Sequence, residues 1–292
     1  MTLEQLRIFI AVAEHQHVTR AAGELNLTQS ATSAAIAALE ARYGIKLFDR
    51  VGRGIVLTQT GRDFLDEARG VVTRAKAAAQ VLNDLAGLKR GSLNLAASQT
   101  VANYWLPPRL QAFRSAYPGI DLQVVIANTE QVAHAVHQGS ADLGFVEGDI
   151  DDPALSIRKV EGDQLIVVVG VNHPWVGQSR ITPKSLPATG WVLREKGSGT
   201  RAIFEAAIMK FGIRFSDLRI ALELPSNEAV RAAVEAGDCA TAISNLVAMH
   251  SLAAGTLHRV KIELPKRSFL ILRHKERYES LAEKALVKAF QV

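Results

Sequence analysis

Residues 19–39 of the 292-residue chain read Thr-Arg-Ala-Ala-Gly-Glu-Leu-Asn-Leu-Thr-Gln-Ser-Ala-Thr-Ser-Ala-Ala-Ile-Ala-Ala-Leu. Two short helical patterns meet in this stretch, and residues 26–28 separate them. Each pattern has one apolar face, made of Ala21, Ala22 and Leu25 in the first and of Ala31, Ile36 and Leu39 in the second. Thr28 is a suitable N-cap for a helix that begins at Gln29. Because alanine is small, the stretch predicts two helices that cross closely at a tight turn.

Short polar side chains cluster in the first turn of the second predicted helix. They are Gln29, Ser30, Thr32 and Ser33, and they follow the capping residue Thr28. Side chains of this length can reach base edges or phosphates when such a helix lies in the major groove of DNA. The layout is typical of a helix-turn-helix. An ordinary helical hairpin with a polar outer face is the alternative.

Both flanks of this stretch favour the helix-turn-helix. Thr2 and Gln5 have the spacing of a capping box, which predicts a helix from Leu3. Further along, Arg53 stands between two glycines and two apolar segments, which predicts a hairpin that forms a wing. Residues 42–62 hold five basic residues and the single acid Asp49; the basic residues are Arg42, Lys46, Arg50, Arg53 and Arg62. We therefore expect this surface to lie on phosphates, with Arg50 and Arg53 holding them.

Residues 1–62 resemble the winged helix-turn-helix of the LysR-type transcriptional regulators. The matching motifs are Leu-Arg-Ile-Phe at 6–9, Arg-Ala-Ala at 20–22, Leu-Thr-Gln at 27–29, Ser33, Ile-Ala-Ala-Leu-Glu at 36–40, Leu-Phe at 47–48, Arg50, Leu-Thr at 57–58 and Thr-Gly at 60–61. Two positions depart from the commonest family pattern. Ser30 stands where proline is usual, and Ala34 stands where arginine often follows Ser33. The resemblance implies a regulator that binds double-stranded promoter DNA.

Composition agrees with this interpretation. The chain is 48% hydrophobic and 22% charged, with a net charge of +5, which is ordinary for a soluble globular protein. We see neither a secretory signal nor an apolar run of transmembrane length, so we expect a cytoplasmic protein without a membrane partner. Cys239 is the single cysteine, which excludes an intramolecular disulfide. Its sequence context favours a packed core thiol over a redox sensor.

Residues 60–89 predict one long linker helix, which residues 60–63 can cap. Apolar residues follow a 4-3-4-3-4-3 spacing along it, and they are Phe64, Ala68, Val71, Ala75, Ala78, Leu82 and Leu85. Such a heptad seam predicts pairing with a second copy of the helix, and hence a homodimer. A helix that lies on its own domain is the alternative. The family resemblance implies the same linker helix and often a homotetramer; contact with RNA polymerase is left open.

From residue 90 the pattern becomes an alternation of strands and helices, so the chain is α/β overall. A final strand at 267–273 and a final helix at 278–290 are surplus to the second half, and we expect them to return to the first. This predicts two lobes joined by two crossing strands, with lobe I at 90–163 and 268–292 and lobe II at 164–267. Residues 90–292 resemble the two-lobed, periplasmic-binding-protein-like effector domain of the same family. The chain is thus expected to contain a winged helix-turn-helix at 1–59, a linker helix at 60–89 and this effector domain.

Two loops of this domain can carry ligand chemistry. The first contains Ser98, Gln99 and Thr100, and the second contains Ser198, Gly199, Thr200 and Arg201. Both place hydroxyls and backbone N–H groups at a predicted helix N-terminus, which favours an anion. Flexible connections with ordinary N-caps are the alternative. Glu147 follows a strand that ends at the same cleft, where it can neutralise Arg201 or Lys196, bind a protonated ligand or be a solvated carboxylate.

Four motifs in the effector domain resemble one branch of the family, near regulators of carbon fixation and sulfur assimilation. They are Phe-Val-Glu-Gly at 145–148, Leu-Arg-Glu at 193–195 with Gly-Ser-Gly-Thr-Arg at 197–201, Glu-Leu-Pro-Ser-Asn-Glu at 223–228 and Arg-His-Lys-Glu-Arg-Tyr at 273–278. The resemblance implies a small anionic effector, with sulfite or another inorganic oxyanion and phosphorylated metabolites as candidates.

Two other classes of protein, an enzyme and a free anion-binding protein, are alternatives to a regulator. Ser98 and Ser198 lack the Gly-x-Ser-x-Gly motif, and the eight histidines show no metal-binding spacing, so we expect no catalytic residue, no metal and no cofactor. A free anion-binding protein would explain two lobes but not residues 1–89. The alternative function is therefore a small-molecule-binding protein or an α/β enzyme without a regulatory role.

Overall fold

The computed structural model describes residues 1–52, 54–85, 91–178 and 181–290, with Asn83 described by its backbone alone. The chain divides into two compact units, Met1–Leu85 and Ala86–Val292. Across the described ranges, no helix combines the length and the apolar character needed to cross a membrane.

The N-terminal unit contains four helices and a two-stranded hairpin. They are α1 (Leu3–His15), α2 (Val18–Glu24), α3 (Gln29–Tyr43), β1 (Phe48–Val51), β2 (Gly54–Leu57) and α4 (Gln59–Leu85). The predicted capping box is confirmed, because the Gln5 N–H donates to the Thr2 hydroxyl at 3.1 Å and the Thr2 N–H donates back to Gln5 at 3.0 Å. β1 and β2 pair antiparallel from Phe48–Leu57 to Val51–Gly54, which confirms the wing.

One apolar core joins α1, α3, α4 and the wing. Its centre is Phe9, whose ring lies 5.5 Å from that of Phe48 and 5.1 Å from that of Phe64. The predicted inner face of α3 is wrong by one residue: Ala31 is exposed, whereas Thr32 is fully buried. Because α3 has alanines on several sides, its sequence does not determine which side faces the core.

The start and first half of α4 differ from the prediction. The helix begins at Gln59 and its cap is Thr58, whose hydroxyl accepts the Gly61 N–H at 2.9 Å, so residues 60–63 are not the cap. Phe64 and Ala68 pack into the unit's own core and cannot belong to a seam for a second copy. Farther along, Leu82 and Leu85 are 69% and 80% exposed. The predicted end of this helix at 86–89 lies outside the described residues.

The C-terminal unit is built on one eight-stranded sheet with helices on both faces. Its elements are β3 (Gly91–Ser98), a π-helical turn (Val101–Trp105), α5 (Leu106–Ala116), β4 (Ile120–Ala127), α6 (Thr129–Gln138), β5 (Leu143–Glu147), β6 (Leu155–Gly170), a 3-10 turn (Pro183–Ala188), β7 (Gly190–Arg194), α7 (Gly199–Lys210), a 3-10 turn (Phe215–Asp217), β8 (Arg219–Leu224), α8 (Asn227–Ala236), β9 (Ala240–Ser244), α9 (Asn245–Ala254), β10 (Leu257–His274) and α10 (Leu281–Lys288). The strand order is β4-β3-β5-β10-β6-β9-β7-β8.

Two long strands join the two halves of this unit. β6 and β10 run antiparallel through the middle of the sheet; one end of β10 pairs with β5, and the opposite end of β6 pairs with β9. This confirms two lobes joined by crossing strands. The predicted final strand at 267–273 covers only the last part of β10; residues 257–266, where charged and apolar residues are mixed, were not recognised as part of it. Helix α9 was not predicted.

Each lobe has its own aromatic core. In lobe I, the rings of Trp105 and Phe290 stack at 5.1 Å beside the buried Phe269. In lobe II, Trp191 packs on Phe204 at 4.7 Å. Cys239 packs at the edge of a second lobe II cluster. Burial and the nearby carboxylate of Asp238 raise the pKa of its thiol, as expected for a structural cysteine.

A buried carboxyl stands in the capping box that opens α10. The Glu283 N–H donates to the Ser280 hydroxyl at 3.1 Å, and Glu283 itself is 3% exposed. Burial raises the pKa of Glu283 to about 7; the Ser280 N–H opposes the shift and the charge of Asp142 adds to it. Between about pH 4.5 and pH 7, the folded state therefore keeps Glu283 largely neutral, whereas an ordinary glutamate is ionised in this range.

Replacing Glu283 by glutamine is expected to make the protein more stable at alkaline pH. Since the folded-state pKa lies above the unfolded one, the stabilising effect of the neutral carboxyl is complete below about pH 4.5 and is lost as the pH rises through about 7. Urea unfolding should show the variant more stable by roughly 2–4 kcal/mol at pH 8 and nearly equal to wild type at pH 4. A difference that does not change with pH would contradict this account.

Candidate functional site

The first candidate site is the outer surface of α3 in the N-terminal unit. Gln29, Ser30 and Ser33 are all exposed on its first turns. Thr28 caps the helix, since its hydroxyl accepts the Ala31 N–H at 3.2 Å and lies 3.1 Å from the Ser30 hydroxyl. Thr32 does not share this surface: it is buried and its hydroxyl donates to the Thr28 carbonyl at 3.1 Å. The prediction that Thr32 contacts DNA is therefore wrong.

The wing is fastened to α3 by a residue that sequence reasoning missed. The nearly buried Glu40 carboxylate accepts the backbone N–H groups of Leu47 at 2.7 Å and Phe48 at 3.2 Å, and it pairs with Lys46 at 3.2 Å. These bonds fix the hairpin relative to the exposed turn of α3. Glu40 lay within a motif that matched the family, but nothing in its local sequence indicated a buried partner.

Two of the basic residues counted in the sequence have partners within their own unit. Lys46 pairs with Glu40, and Arg62 donates to the Leu57 carbonyl at 2.8 Å, which holds the base of the wing. Arg50 is exposed on β1. Arg53 lies outside the described residues. The surface beside α3 thus offers Arg50 as a guanidinium that can meet a phosphate.

The second candidate site lies between the two lobes of the C-terminal unit, where the two predicted loops meet. Its centre is the carboxylate of Glu147, which is 1% exposed. Ser98 donates to this carboxylate from lobe I, and Thr200 donates to it from lobe II at 3.1 Å. Arg267 of β10 lies 3.7 Å away as its counter-ion. Of the three alternatives for Glu147, neutralisation of Arg201 or Lys196 and a solvated carboxylate do not hold in this structure.

Arg267 connects Glu147 to a second buried carboxylate. Its guanidinium donates to Thr200 at 3.0 Å and binds Asp163 through two nitrogens, one of them at 2.9 Å. Ser244 also donates to Asp163. Burial alone would lower the pKa of Arg267, but the charge of Glu147 and the contacts with Asp163 outweigh it and raise that pKa. We call these six residues the Glu147 cluster: Ser98, Glu147, Asp163, Thr200, Ser244 and Arg267.

The backbones of the two lobes touch beside this cluster. The Gly199 N–H donates to the Thr129 hydroxyl at 3.1 Å, which donates in turn to the Glu147 carbonyl at 3.0 Å. A Cβ at Gly199 would overlap that carbonyl oxygen, so only glycine permits this approach. The loops are thus in direct contact across the cleft.

The remaining residues of the first loop bind α8 rather than a cavity. The Gln99 side chain donates to the Pro225 carbonyl at 2.7 Å and accepts the Asn227 N–H at 2.9 Å. The Asn227 amide donates to the Thr100 hydroxyl at 3.0 Å, and it accepts from the buried Arg194 at 2.6 Å. Gln99 and Thr100 are therefore interlobe contacts in this structure.

Ser198, Gly199 and Arg201 do line an open cavity between α6 and α7, with a volume of about 880 Å³. The Arg201 guanidinium is paired with Glu205 at 2.7 Å and with Glu223. These hydrogen bonds and charges outweigh burial and raise the pKa of Arg201. The other ionisable side chains of the cavity are Glu130, His134, His137, Asp149, Asp151, Asp152 and Lys196. Its lining therefore mixes both signs and includes more carboxylates than cations.

Three positioning residues of the cleft were not predicted from sequence. Thr129 and Arg267 bind residues that were predicted, whereas Asp163 is connected to them only through Arg267. All three are distant in the chain from the residues that they bind. Asp163 and Arg267 are register partners on β6 and β10, so only the pairing of the crossing strands brings them together. Within the described ranges, no group of three or more His, Cys, Asp or Glu side chains is placed to hold a metal ion.

Both halves of the chain match models of known protein families. Residues 3–62 match the family model of the bacterial regulatory helix-turn-helix proteins of the lysR family, and residues 86–291 match the LysR substrate binding domain. The RuBisCO operon transcriptional regulator of Allochromatium vinosum is 32% identical over 272 residues, which cover 93% of this chain and 85% of that protein.

Two solved structures are also similar. Full-length CbnR, crystallised in complex with its target DNA, superposes with a TM-score of 0.70 at 22% identity over 100% of this chain and 99% of CbnR. The regulatory domain of Synechocystis PCC6803 CcmR, in complex with 2-PG, gives a TM-score of 0.63 at 27% identity over 69% of this chain and 96% of that domain. With both halves matched in their expected order, this chain belongs to the LysR family of transcriptional regulators.

Proposed function

We propose that this regulator binds promoter DNA through the first turns of α3 and the wing, acts as a homodimer, and is controlled by a small organic effector in the cavity between α6 and α7. The observation that carries the DNA-binding part is the exposed polar turn of α3, held at a fixed position beside Arg50 by Glu40. Such a protein works in the cytoplasm, where promoter DNA is accessible, and its role requires no catalysis.

Gln29 and Ser33 read base edges in this proposal, Ser30 and Thr28 add contacts at the helix start, and Arg50 holds a phosphate. Arg53, expected to do the same, lies outside the described residues. Base contacts determine sequence preference, whereas phosphate contacts position the protein and make affinity depend on salt. The two kinds of residue can therefore be told apart by experiment.

Gln29→Ala is expected to lose discrimination between operator and random DNA by about 1–3 kcal/mol. Arg50→Ala should instead weaken binding to both DNAs alike and reduce the salt slope by about one unit. Fluorescence anisotropy over a range of salt concentrations measures both effects. Arg219→Ala, a change at an exposed arginine of β8 in the other unit, serves as the control. An unchanged operator preference in Gln29→Ala would contradict the base-reading role.

Dimerisation rests on the part of α4 that its own unit leaves uncovered. Val71, Leu82 and Leu85 are apolar and exposed, and with Ala75 and Ala78 they continue the heptad spacing. Exposed apolar residues in a regular stripe are typical of a helix that packs on a partner helix. A dimer presents two recognition helices to a two-fold symmetric operator. Two such dimers would form the homotetramer that the family resemblance implies.

The cavity favours an organic effector over an inorganic oxyanion. Its volume of about 880 Å³ lies in the range of small-molecule sites, roughly 300–1,000 Å³. Lys196 and the N-terminus of α7 can receive an anionic group, while Glu130, Asp149 and Asp151 can accept from hydroxyls. A phosphorylated or carboxylated metabolite with hydroxyl groups fits both features. The complex of the Synechocystis CcmR domain with 2-PG supports a small ligand in this kind of domain.

A thermal-shift screen tests the effector proposal. Ligand binding to the folded state raises the melting temperature, because the free energy of unfolding increases by RT ln(1 + [L]/Kd). The screen compares phosphorylated and carboxylated metabolites with sulfite, sulfate and phosphate. A shift that a metabolite causes, and that Lys196→Ala weakens, would support the proposal. A shift with inorganic oxyanions alone would contradict it.

A further inference from the structure

Glu147 is a charged group that sits where a ligand would be expected. Its carboxylate is enclosed by a hydroxyl from lobe I, a hydroxyl from lobe II and a guanidinium from a crossing strand, supplied by Ser98, Thr200 and Arg267. Donors that converge from separate elements on one oxyanion are how proteins bind carboxylate or phosphate groups. Here the anion belongs to the chain itself.

We propose that Glu147 is a built-in ligand of the interlobe cleft: its carboxylate fills the oxyanion position and holds both lobes, so an external anion is excluded from that position. The inference rests on the proposed effector cleft and adds which part of it an effector can reach. The effector binds in the neighbouring cavity, and the hydroxyls of Ser98 and Thr200 are reserved for Glu147.

The charges of the Glu147 cluster support exclusion. Two carboxylates, those of Glu147 and Asp163, already share the single guanidinium of Arg267, and all three side chains are at most 4% exposed. A further anion in contact with these groups would add a third negative charge in a buried site. Burying a charge without a partner is strongly unfavourable, so small oxyanions have no place here while Glu147 is present.

The geometry also shows how an external anion could enter once Glu147 is removed. Gly148 and Gly199 line the open cavity, and each is the chain neighbour of a cluster residue, Glu147 or Thr200. Truncation of Glu147 to alanine removes one methylene and the carboxylate, which together correspond to acetate. The space left would keep its donors on Ser98, Thr200 and Arg267 and would lie beside the cavity.

Chemical rescue by acetate tests the proposal on the full-length protein. Glu147→Ala is expected to lower the melting temperature by several degrees in sodium chloride. Sodium acetate at the same ionic strength should restore at least half of that loss, and the melting temperature should rise with the logarithm of the acetate concentration once this exceeds the dissociation constant. The wild-type protein should show no such shift, because Glu147 occupies the site.

Two variants serve as controls. Glu147→Gln keeps the side chain's volume and removes its charge, so it should lose stability without responding to acetate. Glu263→Ala removes an exposed carboxylate of β10 outside the cluster and the cavity, and it should not respond either. An equal response of all four proteins, or no response of Glu147→Ala, would overturn the proposal.

Refolding yields test the proposal if Glu147→Ala does not fold in the absence of acetate. If Glu147→Ala is recovered only as aggregate, refolding yields in acetate and in chloride replace the melting temperature. Recovery of folded protein in acetate supports the proposal, and equal yields in the two salts overturn it. Promoter binding by the wild-type protein is measured separately, so failure of the proposed DNA-binding function remains distinguishable from failure of this inference.

Discussion

Replacing Arg267 by methionine is expected to lower the free energy of unfolding of the effector domain by about 3–5 kcal/mol. Arg267 is the shared partner of Glu147 and Asp163, and its guanidinium is buried with them. Without it, two carboxylates remain close together in a site that water does not reach. Breaking a buried ion pair from one side costs more than the pair itself contributes, because the remaining charge stays uncompensated.

Urea unfolding of Arg267→Met measures this loss, with Arg259→Met as its control on the same strand. Arg259 is exposed on β10, so its replacement should change stability by less than about 0.5 kcal/mol. Equal stability of the two variants would contradict the role given to Arg267.

Ala75→Glu is expected to convert the dimer to monomers and to reduce operator affinity by about a hundredfold or more. The substitution places two like charges in an apolar seam, where each lacks a partner. Loss of the second recognition helix removes the gain in affinity that comes from binding two half-sites at once. Light scattering gives the mass of the particle, and anisotropy on the same samples gives the affinity.

Gln80→Glu is the matched control for the seam. It adds the same side chain to α4 at a position almost opposite Ala75 on the helix, since five residues correspond to a rotation of about 140°. This variant should keep the wild-type mass. If Ala75→Glu also keeps the wild-type mass, the seam lies elsewhere on the protein.

Local interactions made the N-terminal unit largely predictable. Thr28 caps α3, and Thr2 with Gln5 forms a capping box, because both depend on residues three positions apart. The inner face of α3 was misplaced at Ala31 and Thr32, since alanines on all sides of the helix give it no clear apolar direction. The bond from Glu40 to the wing depends on tertiary packing that no local pattern reports.

The cleft was predictable only in part, for a similar reason. Ser98, Glu147 and Thr200 were each identified at the end of a strand or the start of a helix, and they do meet. Their counter-ion, Arg267, depends on the register between β6 and β10, which places it opposite Asp163. Sequence reasoning found the donors for an anion, but it could not show that Glu147 itself occupies their centre.

If this chain is a dimeric regulator that recognises a particular DNA sequence, selection of genomic fragments should reveal that sequence. Purified protein is mixed with sheared DNA of its own genome, and the bound fragments are sequenced. We expect the enriched fragments to share a motif with two-fold symmetry. The centres of its two half-sites should be about 10 base pairs, or a multiple of this, apart. Recovery of fragments with no shared motif would contradict this expectation.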